Sequence, residues 1–392
     1  MSLARDHRAK KQVLSLLSAG YRVAVICRRD KDNGRYRRLG LELYEYPAPP
    51  ERGGSLFYVF EYAYSLVAAV VLMLRALADG AVHAIQTGQP PDTYFVAAVP
   101  AKAFGTRFVI DQRDLSPEIY AERFGRDGPL AVVLRALERA SWRSADHVIT
   151  VNDWLVRTVA TRGRIPPDRV TAVGNGPLLS AVDGGPADQR LRGRFPHLVC
   201  WLGAMAPQDH AHLALLAISH YVHHLERHDA LFAFIGDGQA AASLRQLAAE
   251  LEIEEFVRFT GWLDEDACFG YLAAADLGLD TNLQPEVTPV KALEYMAHRL
   301  PFVAFDLLET RALAAEAARY VAPGNAEGMA GEIGRLLDAP DERRRLGEIG
   351  RARIEREFAW DRQQERYLRV YEQVLGAARP MRWSKHAVED AQ

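Results

Sequence analysis

Apolar positions along this chain fall into two rhythms: short unbroken runs, and longer stretches in which they recur every three or four residues. The first rhythm marks buried strands and the second amphipathic helices. In the N-terminal half, YRVAVIC (21–27), VHAIQ (82–86), RFVID (107–111) and HVITV (147–151) predict strands, with helical spacing between them, as at 129–141. LVCWLG (198–203), LFAFIG (231–236), VRFTG (257–261), LGLDT (277–281) and PFVAF (301–305) repeat the pattern in the C-terminal half. Such alternation builds parallel sheets covered by helices. Residues 174–193, with GNGP and DGGPADQ, follow neither rhythm and form the clearest linker. The expected fold class is therefore α/β, with two Rossmann-like, doubly wound domains facing each other across a ligand cleft. Residues 1–178 make the first domain and 179–360 the second. Residues 361–376 form a C-terminal helix that packs back on the first domain, and 377–392 a disordered tail.

A domain of this kind ordinarily opens on a strand, yet MSLARDHRAKKQVLSLLSAGY reads as a loop and then a helix. Either an opening strand is missing from this start or the domain does without one; its loss takes out a central piece of the sheet. The longest apolar stretch, 56–78, is interrupted by Glu61 and Arg75. It is borderline in length for a bilayer span, and its tyrosines and alanines suit a helix packed on a sheet.

With 392 residues, 49% of them hydrophobic and 25% charged, the chain has material for two ordinary cores. A net charge of −3 argues against a nucleic-acid partner. The charge is unevenly spread: residues 1–40 carry eleven lysines and arginines against three aspartates. That segment reads either as a face for anionic lipid or an anionic acceptor, or as solvated surface. Cys27, Cys200 and Cys268 have no paired spacing, which suits reduced thiols in the cytoplasm. No secretory signal precedes the first amphipathic segment. The expected location is cytoplasmic, with peripheral contact on the inner face of the plasma membrane as a further expectation.

Candidate chemistry is densest in EVTPVKALEYMA (286–297). Thr288 reads as a helix N-cap and Pro289 as the first helical residue, followed at helical spacing by Val290, Leu293 and Met296. Lys291 then stands in the first turn, where the positive end of the helix dipole disfavours a cation. A bound anion offsets that, and the N–H groups of the same turn are ready to hold one. A phosphate meets both needs. Glu294, one turn on, is placed to accept from hydroxyls, and Glu286 lies in the loop before the helix. An anion site flanked by two carboxylates points to a nucleotide-sugar. The alternative is a solvated Lys291–Glu294 pair and a surface Glu286.

The segment 286–294 resembles the E-x7-E signature of the retaining glycosyltransferases of family 4, which have the GT-B fold. VKALEYMAHRLPFVAFD and the stretch FIGDGQAAASLRQLAAELEIEEFVRFTGWLDEDACFGYLAAADLGL follow the family's nucleotide-binding half. QPPDTYF, FVIDQRDLSPEIY, ERASWRSADHVITVN and VGNGP are similar to the acceptor half of a polysaccharide-type branch. The resemblance covers nearly the whole chain.

What the resemblance implies is specific. Glu294 binds the donor ribose, Glu286 sits beside the transferred sugar, and the amides of Val290 and Lys291 hold the diphosphate. Gly203, Gly236 and Gly238 let backbone approach the nucleotide, though an ordinary strand-to-helix turn explains the GDG equally well. Trp262 or Leu263 lies against the base; the alternative for Trp262 is a core position. Family members carry an arginine and a lysine in the loop after the second domain's first strand. Here Ala204 and Asp209 occupy those positions, so Lys291 is expected to take over the leaving-group charge. On the acceptor side Asp114 is the candidate for taking or orienting the hydroxyl proton, with Arg113 and Asp92 beside it. Asp92 also reads as a helix cap, and Ser116 with Pro117 as an N-cap and first turn. Histidines 210, 212, 220, 223, 224 and 228 suit a polar helix face, and neither a metal nor a cofactor is expected.

The implied reaction is transfer of a sugar, with retention, from a UDP- or GDP-sugar to a hydroxyl acceptor. A lipid-linked or cell-envelope glycan fits the loops, and a soluble natural product is the other acceptor class. Two alternatives use the same architecture: a nucleotide-sugar epimerase or hydrolase, and a non-catalytic partner of another transferase.

Overall fold

The computed structural model describes residues 2–48, 55–124, 129–183, 188–285 and 287–376. Glu286 and the tail 377–392 lie outside the described residues. The chain divides into two units. One runs to Gly174 and takes up the chain again from Gln363, and the other is Asn175–Arg362.

In the first unit the described strands are all parallel and fall into two groups. β1 (Ala24–Arg28) pairs with β2 (Glu42–Tyr46). β3 (Ala84–Gln89), β4 (Arg107–Gln112), β5 (His147–Thr150) and β6 (Val170–Ala172) pair in that order. No hydrogen-bonded ladder joins the groups among the described residues. The helix His7–Ser18 reaches the larger group instead. Arg8, almost wholly buried, gives Nε and Nη2 to the Asp111 carboxylate at 2.7–3.0 Å and Nη1 to the Val173 carbonyl. Tyr367 and Tyr371, on the helix Trp360–Leu375, donate their hydroxyls to Gln86 Oε1 of β3 at 2.9 and 2.6 Å.

Some of the arginines and lysines of residues 1–40 are drawn inward or paired, while Arg29, Lys31, Arg35 and Arg38 are exposed. Arg8 and Lys11 are buried, while Arg5, Arg22 and Arg37 pair with Asp30, Glu42 and Glu45. The apolar stretch at 56–78 is one helix, Ser55–Asp79, in contact with β1 and β2. It does not bury itself fully, since Phe60, Val67, Val71 and Leu74 remain exposed. Among the described residues no helix is long and apolar enough to cross a membrane.

The second unit is one six-stranded parallel sheet. Its strands are β7 (His197–Leu202), β8 (Ala230–Ile235), β9 (Val257–Gly261), β10 (Leu277–Asp280), β11 (Phe302–Phe305) and β12 (Ala318–Val321). Their order is β12-β11-β10-β7-β8-β9. Alternate residues serve opposite cores: Val199, Trp201, Phe232 and Phe234 pack on one face, Leu198, Cys200, Leu231 and Ala233 on the other. The chain moves outward from β7 through β8 to β9, then returns to the other side of β7 at β10. That reversal puts the topological switch point between the C-terminal ends of β7 and β10, where open α/β sheets bind ligands.

Candidate functional site

Four strand ends line the C-terminal edge of the second unit in the order β9, β8, β7, β10, and the candidate donor residues sit on all four. Adjacent strands lie ~4.8 Å apart, so the row spans about 14 Å, close to the reach of a nucleoside diphosphate. At the β9 end, Trp262 is 70% exposed rather than a core residue, while Leu263 packs on the core. Gly261 (φ 70°) makes the turn that leads to it, and its carbonyl accepts from Gly236 N–H at 3.1 Å.

At β8 the glycines are required by their neighbours. A Cβ on Gly236 (φ 126°) would stand 1.9 Å from the Gly203 carbonyl oxygen, and one on Gly238 1.8 Å from that of Ala204. The turn after β8 therefore lies directly on the loop after β7, and no side chain fits between them. Gly203 in turn clears the Trp201 indole, which a Cβ would meet at 2.5 Å. The β7 loop also holds Met205 and His210 at positive φ (45° and 49°), conformations that side chains rarely adopt and that gather at ligand sites. Asp209 accepts from Ala206 N–H at 2.9 Å, so it braces the loop.

At the switch point the helix Val290–Ala297 begins. Its N-cap is Pro289 (ψ 106°), one residue later than the sequence suggests, because Pro289 is still extended and its carbonyl accepts from Ala292 N–H. Thr288 stands one residue before that cap, and its hydroxyl reaches Glu309 Oε2 at 3.5 Å. The N–H groups of Val290 and Lys291 are then the first two of the helix, which have no acceptor within it. Lys291 is one-tenth exposed. Its ammonium lies 3.8 Å from Asp280 Oδ1 and 4.3 Å from the centre of the Trp201 ring. Asp280 is buried at the end of β10; burial pushes its carboxyl up, against the pull of Lys291. Burial pushes the His210 imidazole down, against the pull of Asp209, and Lys291 adds to the shift. Trp201 Nε1–H donates to Thr281 Oγ1 at 2.9 Å, and that hydroxyl donates to the Asp209 carbonyl at 2.8 Å. The β7 and β10 loops are thus tied together around the lysine.

Glu294 is half-buried on the side of the helix that approaches Cys268, on the helix Glu265–Ala274 that follows Trp262. Burial, with Glu294 nearby, pushes that thiol up to about 12. Glu294 therefore leaves the helix toward Cys268, and Lys291 toward Asp280 and Trp201. Tyr295 fixes the helix to the sheet: its hydroxyl accepts from Leu202 N–H at 2.9 Å and donates toward the carbonyls of Leu279 and Cys200. Gly278 leaves room for that ring, 2.6 Å from where a Cβ would stand. Sequence reasoning missed Asp280, Trp201 and Thr281. The available signal was an acid closing a strand-like run, LGLDT, ahead of the E-x7-E loop.

The acceptor-side residues stand in the first unit. Asp114 is exposed, and its carbonyl accepts from Gln112 Nε2 at 2.6 Å. Arg113 gives Nη1 to Asp6 at 2.8 Å and Nε to Asp111 at 3.0 Å, so its guanidinium is engaged in a structural network. Burial works against the Asp111 charge, but Arg8 and Arg113 outweigh it and hold the carboxyl down at about 2. Asp92 is buried and caps no helix through its side chain; it accepts from Ser116 Oγ–H and from Gln112 Nε2. Ser116 opens the helix Ser116–Phe124 rather than capping it, and its hydroxyl goes to Asp92. Among the described residues no three His, Cys, Asp or Glu side chains are grouped to hold a metal.

The geometry agrees with what the chain is similar to. Residues 7–176 match the family model described as "Glycosyl transferase 4-like domain", and residues 196–339 the one described as "Glycosyl transferases group 1". The MMP alpha-(1->4)-mannosyltransferase of Mycolicibacterium hassiacum is 27% identical over 273 residues, 67% of this chain and 63% of that protein. The chain thus spans less than two thirds of that relative's length. Among solved structures, the sucrose-phosphate synthase of Thermosynechococcus elongatus aligns with a TM-score of 0.75 at 18% identity, covering 94% of this chain and 93% of that one. The Anabaena protein HepE, in complex with UDP and glucose, aligns at 0.70 and 16%, covering 92% and 95%. At these identities the likeness is one of fold, that of two Rossmann-like domains of the GT-B type. Together the matches over both halves place this chain in the group 1 glycosyltransferase family.

Proposed function

We propose that this protein is a retaining glycosyltransferase that moves a hexosyl group from a nucleotide-diphosphate-sugar to a hydroxyl acceptor. The observation that carries the reading is the row of strand ends from Trp262 to Lys291, closed by two helix amides with no acceptor within their helix and a nearly buried ammonium at the switch point. The base lies at Trp262 and Leu263, the ribose at Glu294 and the diphosphate at Val290 and Lys291. The HepE complexes hold UDP, which supports a uridine donor as the first to test; a GDP-sugar is the other candidate.

In this reaction the bond from the anomeric carbon to the diphosphate oxygen breaks and the acceptor oxygen takes its place on the same face. The acceptor proton passes to the departing phosphate. Lys291 and the two amides stabilise the charge that develops there. Asp114 and Glu286 orient the acceptor hydroxyl and the sugar. A polysaccharide or lipid-linked acceptor suits the acceptor-half resemblance.

A second reading has its own support. Asp280 already compensates Lys291, and Ala204 and Asp209 add no cation, an arrangement that suits a donor-binding partner without turnover. Thermal-shift titration with UDP, GDP and TDP, followed by transfer assays with their sugars, separates the two. Stabilisation by a nucleotide with turnover supports the transferase. Stabilisation without turnover across acceptors supports the partner, and consumption of free donor without acceptor supports a hydrolase or epimerase. No stabilisation by any nucleotide contradicts the donor site itself.

A further inference from the structure

The helix Pro129–Ser144 in the first unit has two unlike faces. Ala131, Glu138, Ser141 and Trp142 are buried. At 100° per residue they share one side, and the opposite side carries Val132, Val133, Ala136 and Ala140, all exposed. Val132 is 65% exposed and Val133 51%. Along one flank of this apolar strip, Arg135, Arg139 and Arg143 follow one another at successive turns, also exposed; Arg143 gives Nε–H to the Gly163 carbonyl at 2.9 Å, so Arg135 and Arg139 carry the row outward. The helix's single acid, Glu138, is buried on the far side and held by Arg162 at 3.0 Å, so nothing on the outward face of this helix offsets the arginines. The two helices in contact with this one, Ser116–Phe124 and Phe95–Lys102, also carry exposed apolar residues, Ile119 and Val96.

We infer that this face is a docking surface for an anionic lipid membrane, with the helix lying in the plane of the interface. Exposed valines along a helix are costly in water and gain where the headgroups meet the acyl chains, while a flanking row of arginines meets lipid phosphates. Long arginine side chains reach that level while their stems cover apolar surface. A nucleic acid would reward the arginines but not the valines. A protein partner's interface core would be expected to carry aromatic anchors, and the outward face of this helix has none. The attachment is reversible, since neither signal alone anchors a protein stably and this face combines a short apolar strip with a basic row. The inference goes beyond the glycosyl-transfer reading and stands whether or not that reading holds.

Co-sedimentation of the full chain with vesicles tests it, using phosphatidylcholine alone and phosphatidylcholine mixed with phosphatidylglycerol. The expected result is binding to the mixed vesicles that weakens as salt rises. Arg135→Ser/Arg139→Ser should lower the partition about thirty-fold, each arginine near the surface contributing a factor of about five. Val132→Ser/Val133→Ser should weaken binding at every salt concentration. Hydrogen exchange of the wild-type chain, which needs no variant, should show protection by mixed vesicles at 129–144. Equal binding to both vesicle types, unchanged partition of the arginine variant, or protection confined to other segments would overturn the inference.

Discussion

In the proposed reaction Lys291 is the residue on which the chemistry turns, and its surroundings show how a cation is held there. A cation in a first helical turn opposes the dipole, yet here Asp280 and the Trp201 ring hold it in place. Lys291→Ala should reduce transfer about a hundred- to a thousandfold, read from the rate at saturating donor. It also leaves Asp280 buried without its counter-charge, so the melting temperature should fall alongside; Lys291→Arg should recover stability more than rate. The sequence made Lys291 and Glu294 legible, because helical spacing and the family signature coincide there. It left Asp280 hidden, because an aspartate that ends a strand looks like any loop acid until the sheet order brings it under the lysine. Glu138 offers a separate residue-scale test. Burial raises its carboxyl to about 7, against the pull of Arg162. The stabilisation is fully present below the ordinary value of 4.5 and is lost as pH rises through about 7. Glu138→Gln should flatten that loss, on the order of 3 kcal/mol, in denaturant titrations across the window.

At the scale of elements, two contacts hold the architecture in register. The turn after β8 rests on the loop after β7 only because positions 236 and 238 lack side chains. Gly238→Ala should cost about 2–4 kcal/mol in unfolding titrations and weaken nucleotide binding with it, since both loops border the same strand ends. In the first unit, Arg8 fixes the opening helix to β4 through a buried pair with Asp111. Arg8→Ala should cost about 3–5 kcal/mol, and the wild-type contribution should be lost as pH falls through about 2. Strands were legible where apolar residues run unbroken, as in β4, β5, β7 and β8. β2 was not, because ELYEY alternates charged and aromatic residues; β6 has only three residues, and Arg319 interrupts β12. The helix at Val290–Ala297 was read one residue early, since Pro289 satisfies the rule for a first helical residue while its ψ remains extended.

At the scale of the molecule, each unit has its own core, and the family's two halves map onto them. Two alternating series of strands and helices made that organisation readable before any coordinates. Sequence could not foretell that Arg5, Arg8, Arg22 and Arg37 of the basic N-terminal segment would pair with carboxylates, or that a further basic row would lie outward on the helix Pro129–Ser144. Both depend on which helix face meets a sheet. The central claim concerns the second unit, that a nucleoside diphosphate lies along β9, β8, β7 and β10 with its pentose on Glu294. Calorimetric titration of UDP and GDP into the wild-type chain and into Glu294→Ala tests it most directly. The account predicts saturable binding of one nucleotide to the wild type and an affinity about ten- to a hundredfold weaker in the variant, with the melting temperature of the free chain unchanged. Equal affinity in the two proteins, or no binding of either nucleotide to the wild type, would contradict it.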